Sequence, residues 1–188
     1  MSHNTLVKYY LLLTTTIQYK HRTHSSSFLF MQHNISSLRW HSRGDYLISV
    51  APSGQSRSVV VHHIPSHTSQ CPFKKNRGIV RASAFHPSKP FLFVATDKHV
   101  RIYNLASQGL AKKLQIGGSG VVKCLDVHPS GDHVIVGMSD SRVCWFDLDL
   151  SARPFKSLRY HTMSTTAVVY HQRYPLFASS SGTMAMLF

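Results

Sequence analysis

Residues 128–150 read "HPSGDHVIVGMSDSRVCWFDLDL", and residues 86–105 read "HPSKPFLFVATDKHVRIYNL". Both open on His-Pro, pass through an apolar run, turn at an Asp and close on an aromatic residue followed by Asp or Asn. Two further stretches align with them, giving four: "LRWHSRGDYLISVA" from Leu38, "SAFHPSKPFLFVAT" from Ser83, "LDVHPSGDHVIVGM" from Leu125 and "VVYHQRYPLFASSS" from Val168. Their shared histidines, His41, His86, His128 and His171, lie 45, 42 and 43 residues apart. A period of roughly 40 to 45 residues is that of a four-stranded propeller blade. The repeat therefore decides the fold.

Within one unit the pattern is strand-like. "VRASAF" leads to His86-Pro87, "FLFVAT" follows, a turn falls at Asp97-Lys98-His99, then come "VRIYNL" and the more polar "LAKKLQI". Pro87 and Pro129 end their strands, because proline has no amide hydrogen for the ladder. The middle strands, "FLFVA" and "HVIVG", are nearly continuous apolar runs, as expected of strands buried on both faces between neighbouring blades. Trp40, Phe85, Tyr103, Trp145, Phe146 and Tyr170 then read as packing between blades. Asp97 and Asp140, which share one turn position, and Asp147 read as hydrogen-bonding staples for turn amides and a nearby histidine. Repetition in successive blades argues against a catalytic role.

The 188 residues carry 21 Lys and Arg against seven acids, a formal net charge of +14, and all seven acids are Asp. Without Glu, long amphipathic surface helices are not expected. The excess of positive charge favours nucleic acid or an acidic partner. Cys71, Cys124 and Cys144 make no Cys-x-x-Cys pair, and His62, His63 and His67 lack ligand-type spacing, so neither zinc nor any other cofactor is indicated. No Gly-rich phosphate loop or nucleophile elbow is present. Asp126 and Asp132, the nearest thing to a carboxylate pair, flank a His-Pro turn. No enzyme activity is expected. Residues 1–34 form an atypical N-terminal segment, with "LVKYYLLL" too short to span a membrane; residues 35–188 form the repeat domain.

At this point the residues resemble the WD40 family. "VRIYNL" and "VCWFDLDL" place Tyr103-Asn104 and Phe146-Asp147 where that family closes a strand with Trp-Asp, and His161 in "LRYHTMS" resembles its Gly-His histidine. A narrower resemblance is carried by "WHSRGDYL", "CPFKKNRGIV", "FHPSKPFLFVAT", "VHPSGDHVIVG", "WFDLDLSARPFKSLRYH" and "YHQRYPLFASSS", which occur in the same order in the C-terminal propeller of the block-of-proliferation proteins. That resemblance implies a non-enzymatic scaffold in the nucleus, in nucleolus and nucleoplasm. It implies a role in pre-rRNA processing and large-subunit maturation, with a pescadillo-type protein, a second WD40 protein and pre-ribosomal RNA as partners and no membrane. A generic WD40 adaptor of another nuclear pathway, or a truncated product without function, is the alternative. The expected fold is all-β: a partial WD40 β-propeller with about four four-stranded blades of a seven-bladed ring. The family's Asp-Asp-Gly turn is replaced by "GTMAMLF", and an open, apolar blade face is expected from an incomplete ring.

The basic residues are clustered. Lys74, Lys75, Arg77 and Arg81 form one run, Lys112 and Lys113 a second, and Arg153, Lys156, Arg159 and Arg173 a third. The first is expected in an outer strand or loop and the second in a fourth strand. Outer-edge placement would make a belt that follows phosphates with little sequence preference.

Overall fold

The computed structural model describes residues 35–52, 58–73, 78–182 and 185–187. The N-terminal segment 1–34 and the cations Lys74, Lys75 and Arg77 lie outside the described residues. Fifteen strands and no helix are found in the described residues. The first sheet contains β1 (Ser37–Trp40), β2 (Tyr46–Val50), β3 (Val59–His63) and β4 (Thr68–Gln70). The second contains β5 (Val80–Phe85), β6 (Phe91–Thr96), β7 (His99–Asn104) and β8 (Gly109–Gln115). The third contains β9 (Val122–Val127), β10 (His133–Met138), β11 (Val143–Asp147) and β12 (Lys156–Leu158). The fourth contains β13 (Thr165–Tyr170), β14 (Phe177–Ser181) and β15 (Ala185–Leu187). Every sheet is an antiparallel meander in chain order. Three blades thus have four strands, and the fourth shows three among the described residues.

The first strands of successive blades, β1, β5, β9 and β13, lie side by side, so the blades converge on them and the last strands form the outer rim. Alternation along the middle strands explains the long apolar runs. Leu92 and Val94 of β6 enter a core shared with Ile48, Val50 and Val59 of the first blade. Phe93 and Ala95, one residue out of phase, enter the core shared with Val134, Val136 and Phe146 of the third blade. On β10 the same division sends Ile135 to a third core with Val168 and Tyr170 of the fourth blade. Side chains of a strand alternate between faces, and here each face has its own neighbour. Fully burying one such side chain contributes about 1.5 to 3 kcal/mol.

Most of the aromatic residues expected between blades do pack there. Phe146 is fully buried and Tyr170 buried, while Phe85, Tyr103 and Trp145 lie partly buried against the cores. Trp40 is the exception at 52% exposed. It stands on β1 of the first blade, where strand periodicity alone could not say whether its face has a neighbour.

Backbone bonds stitch the turns of each blade together. Leu105 donates to the Pro90 carbonyl at 2.8 Å and Leu148 to that of Asp132 at 2.9 Å, with Ile64 to Asp45 equivalent in the first blade. On the opposite rim Val122 donates to Asp97 at 3.0 Å, carrying the stitch from the second blade into the third.

Candidate interaction surface

The four repeated histidines cap their own turns. The Nδ1 of His86 accepts the amides of Ser88 and Lys89 at 3.1 and 2.9 Å. His171 accepts those of Arg173 and Tyr174, both at 3.0 Å. His128 accepts that of Ser130 at 3.1 Å, and His41 that of Arg43 at 3.3 Å. A nitrogen that accepts an amide carries no proton, which assigns the neutral Nε2–H tautomer to these rings. Three of the rings, those of His41, His86 and His128, also reach the next blade. His41 meets Phe85 edge-on at 5.3 Å, and His128 meets Tyr170 at 4.9 Å. His86 lies against Gly131, whose φ of +90° suits glycine and where a Cβ would fall 2.2 Å from the ring. Burial lowers the pKa of His86 and His128.

Two of the three aspartates, Asp97 and Asp140, differ from expectation in pairing with arginine. Asp97 binds Arg81 at 2.7 Å. Asp140 binds Arg142 at 2.7 Å, and that guanidinium helps hold the carboxyl below its usual range despite burial. Neither contacts a histidine among the described residues; beside the Asp140 carboxylate the preceding loop places Gly120. Asp147 accepts the amides of Asp149 and Leu150 at 2.9 and 3.1 Å. His161 itself bonds the buried Ser179 hydroxyl at 2.7 Å. Asp126, far from acting with Asp132, faces Arg39 of the first blade at 3.5 Å and accepts the Tyr170 amide at 2.8 Å. Burial raises its pKa, with the Tyr170 amide and Arg39 opposing. His62 is held by Ser49 and Ser69 at 3.0 and 2.7 Å.

The basic clusters are resolved into different places. Arg81 lies on β5, an innermost strand, and not on the outer edge; its apolar neighbours Val80 and Ala82 draw that segment into the core, and Asp97 neutralises it. Lys112 and Lys113 stand on the outer strand β8. Lys112 donates to the Leu148 carbonyl of the third blade and so has a bracing role. Lys156 stands on the outer strand β12, with Arg153 and Arg159 flanking it. Arg173 sits in the first turn of the fourth blade, away from that rim. Lys113, Arg153, Lys156, Arg159 and Arg173 are all exposed, and none joins an ion pair among the described residues.

One exposed feature was not singled out from sequence. Phe155 is 62% exposed and Tyr160 52%, on either side of β12. Their signal was there, since both interrupt a basic stretch outside the alternating strand pattern. The forward face of the fourth blade, expected to be open and apolar, is uncovered among the described residues. Val169, Ala178 and Leu187 are in register across β13, β14 and β15, and Val169 and Leu187 are 48% and 71% exposed.

Four blade-like meanders with interlocked faces make this chain a WD40 β-propeller protein. Residues 58–104 and 111–147 match the model of the WD domain, G-beta repeat. Over 147 residues the chain is 60% identical to the ribosome biogenesis protein BOP1 homolog of Chlamydomonas reinhardtii, covering 78% of this chain and 18% of that protein. It is 51% identical over 148 residues to the ribosome biogenesis protein erb1 of Schizosaccharomyces pombe, covering 79% and 20%. It is 44% identical over 162 residues to the BOP1 homolog of Oryza sativa subsp. japonica, covering 86% and 24%. The chain belongs to this BOP1/Erb1 family and spans about a fifth of the length of these relatives.

Proposed function

We propose that the chain acts in ribosome biogenesis, in the nucleus and nucleolus, as a non-enzymatic scaffold that holds pre-ribosomal RNA by its phosphates along the outer rim. The relatives' names support the process. The observation that carries the RNA contact is a segregation of charge. Asp97, Asp126 and Asp140 form ion pairs with arginines of their own or another blade, Asp147 lies against His133, and Asp45, Asp132 and Asp149 sit in turns. No acid stands on β4, β8 or β12, whereas Lys113 and Lys156 do and Arg153 and Arg159 flank them. A rim with an excess of cations, Asp149 being an exposed acid in the same loop as Arg153, favours a polyanion and gives affinity that falls steeply with salt.

Protein partners fit other surfaces. A pescadillo-type protein and a second WD40 protein, implied by the family resemblance, would take the turns and the open face around Val169 and Leu187, where apolar contact resists salt. Reversing Lys113, Arg153, Lys156 and Arg159 to Glu and titrating a pre-ribosomal RNA transcript against salt tests the rim. The log–log slope is expected to shrink by roughly 0.7 for each lost contact to a single strand. A slope that does not move overturns the proposal.

A further inference from the structure

We infer that the outer edge of the third blade is a platform for unpaired nucleotides, on which the Phe155 ring stacks a base while Arg153, Lys156 and Arg159 hold the flanking phosphates. The inference rests on the RNA reading above and narrows it to single-stranded RNA.

Singly exposed apolar side chains are ordinary on protein surfaces. The stretch from Arg153 to Tyr160 is different, because two open aromatic rings are interleaved with three exposed cations and no carboxylate. That combination matches the needs of a single strand: a positive track for the backbone and π-faces for bases that no partner strand covers. A duplex hides its base faces and would use only the cations. An acidic protein segment would also meet the cations, but it has no general use for exposed ring faces at this spacing.

The platform is held in place before any ligand arrives. The Phe155 amide donates to the Trp145 carbonyl at 2.8 Å, and the Phe155 ring meets Trp145 edge-on at 5.6 Å and 84°. Trp145 packs in turn against the core shared by the third and fourth blades. Pro154 fixes its own φ just before the ring. Ser151 accepts the Arg153 amide and donates to its carbonyl, both at 2.8 Å. The Gln115 amide of β8 donates to the Ala152 carbonyl at 2.8 Å, tying this loop to the second blade. Lys113, two residues before Gln115, thereby extends the basic track across the blade boundary. Ordering that is complete in the free protein is not charged against binding.

The test uses the full chain, with a fluorescent 20-nucleotide oligo(A) and a perfectly paired RNA duplex of the same length as probes. Phe155→Ala should weaken oligo(A) binding on the order of tenfold, from the known worth of one stacked base. It should leave duplex binding and the salt slope unchanged, and Phe155→Trp should restore oligo(A) affinity. The Trp variant also guards against misfolding, since an unfolded Ala variant would lose duplex binding too. A Lys156→Ala, Arg159→Ala pair should weaken both probes and flatten the salt dependence. If both probes bind and Phe155→Ala leaves oligo(A) affinity unaltered, the stacking platform is overturned while the phosphate-binding rim survives. If neither RNA binds, or if an acidic peptide competes equally with wild type and Phe155→Ala, the platform falls together with the RNA reading.

Discussion

The second and fourth blades are built from the same repeat, yet one face of each has a different fate. Ala84, Phe93 and Ile102 stand in register across β5, β6 and β7 and are 6%, 0% and 4% exposed. Val169, Ala178 and Leu187 occupy the corresponding row of the fourth blade, with Leu187 71% exposed. Residue type does not account for the contrast, because both rows are apolar. The neighbour does: the third blade covers one row, and no described residue stacks on the other. A blade is a half-interface, and its stability depends on what is stacked against it.

The largest expected effect breaks the covered row. Phe93→Ala removes a fully buried ring from the core between the second and third blades and should cost about 3 to 5 kcal/mol in a denaturant titration. Val169→Thr, at the matching level of the open face, should change stability by no more than about 0.5 kcal/mol. Equal losses at the two sites would show that the open face is covered in solution.

A smaller effect separates two equivalent glycines. Gly44 and Gly131 each stand three residues after the repeat histidine, with φ of +79° and +90°. An added Cβ meets nothing within 4 Å at Gly44 but strikes the His86 ring at Gly131. Gly44→Ala should cost about 1 to 2 kcal/mol, the usual left-handed penalty. Gly131→Ala should cost more, measured as the difference in unfolding free energy, because the ring that bridges the second and third blades must move. The contrast would vanish if that interface were already loose.

The smallest expected effect concerns acid. Burial lowers the pKa of His86 and His128 from 6.5, and burial does the same to His62. A depressed histidine pKa means the unfolded chain takes up protons first, so stability is whole above about pH 6.5 and falls below it, through the lowered folded values. Protonation would also put a hydrogen on a nitrogen that now accepts turn amides. His86→Asn, whose side-chain oxygen can accept the same amides, should reduce the loss between pH 7.5 and 5.5 in urea midpoints. An unchanged loss would assign the acid sensitivity to other groups.

Much of this architecture was legible in one dimension. The histidine spacing set the blade period, the prolines marked strand ends, and continuous apolar runs identified strands with a neighbour on each side. The partners of individual side chains were less legible. Arg81 looked like part of a basic loop run, but the strand that begins at Val80 carries it inward to Asp97. Asp97 and Asp140 were expected beside histidine and found arginine, Arg81 from the first strand of the same blade and Arg142 from the same turn. Phe155 and Tyr160 escaped notice because an aromatic residue in a repeat is usually core, and only the position of β12 at the edge of its sheet leaves them outside.

The sequence alone therefore determined the repeat, the strand order and the excess of positive charge, since all three follow from local pattern and composition. Tertiary structure decided where that charge goes. Stacking the blades draws the carboxylates to inner strands and turns, where buried amides and arginines require them, and leaves cations and open rings on the outer rim. Whether a side chain faces solvent or another blade depends on contacts between residues about 40 positions apart, which no local periodicity encodes.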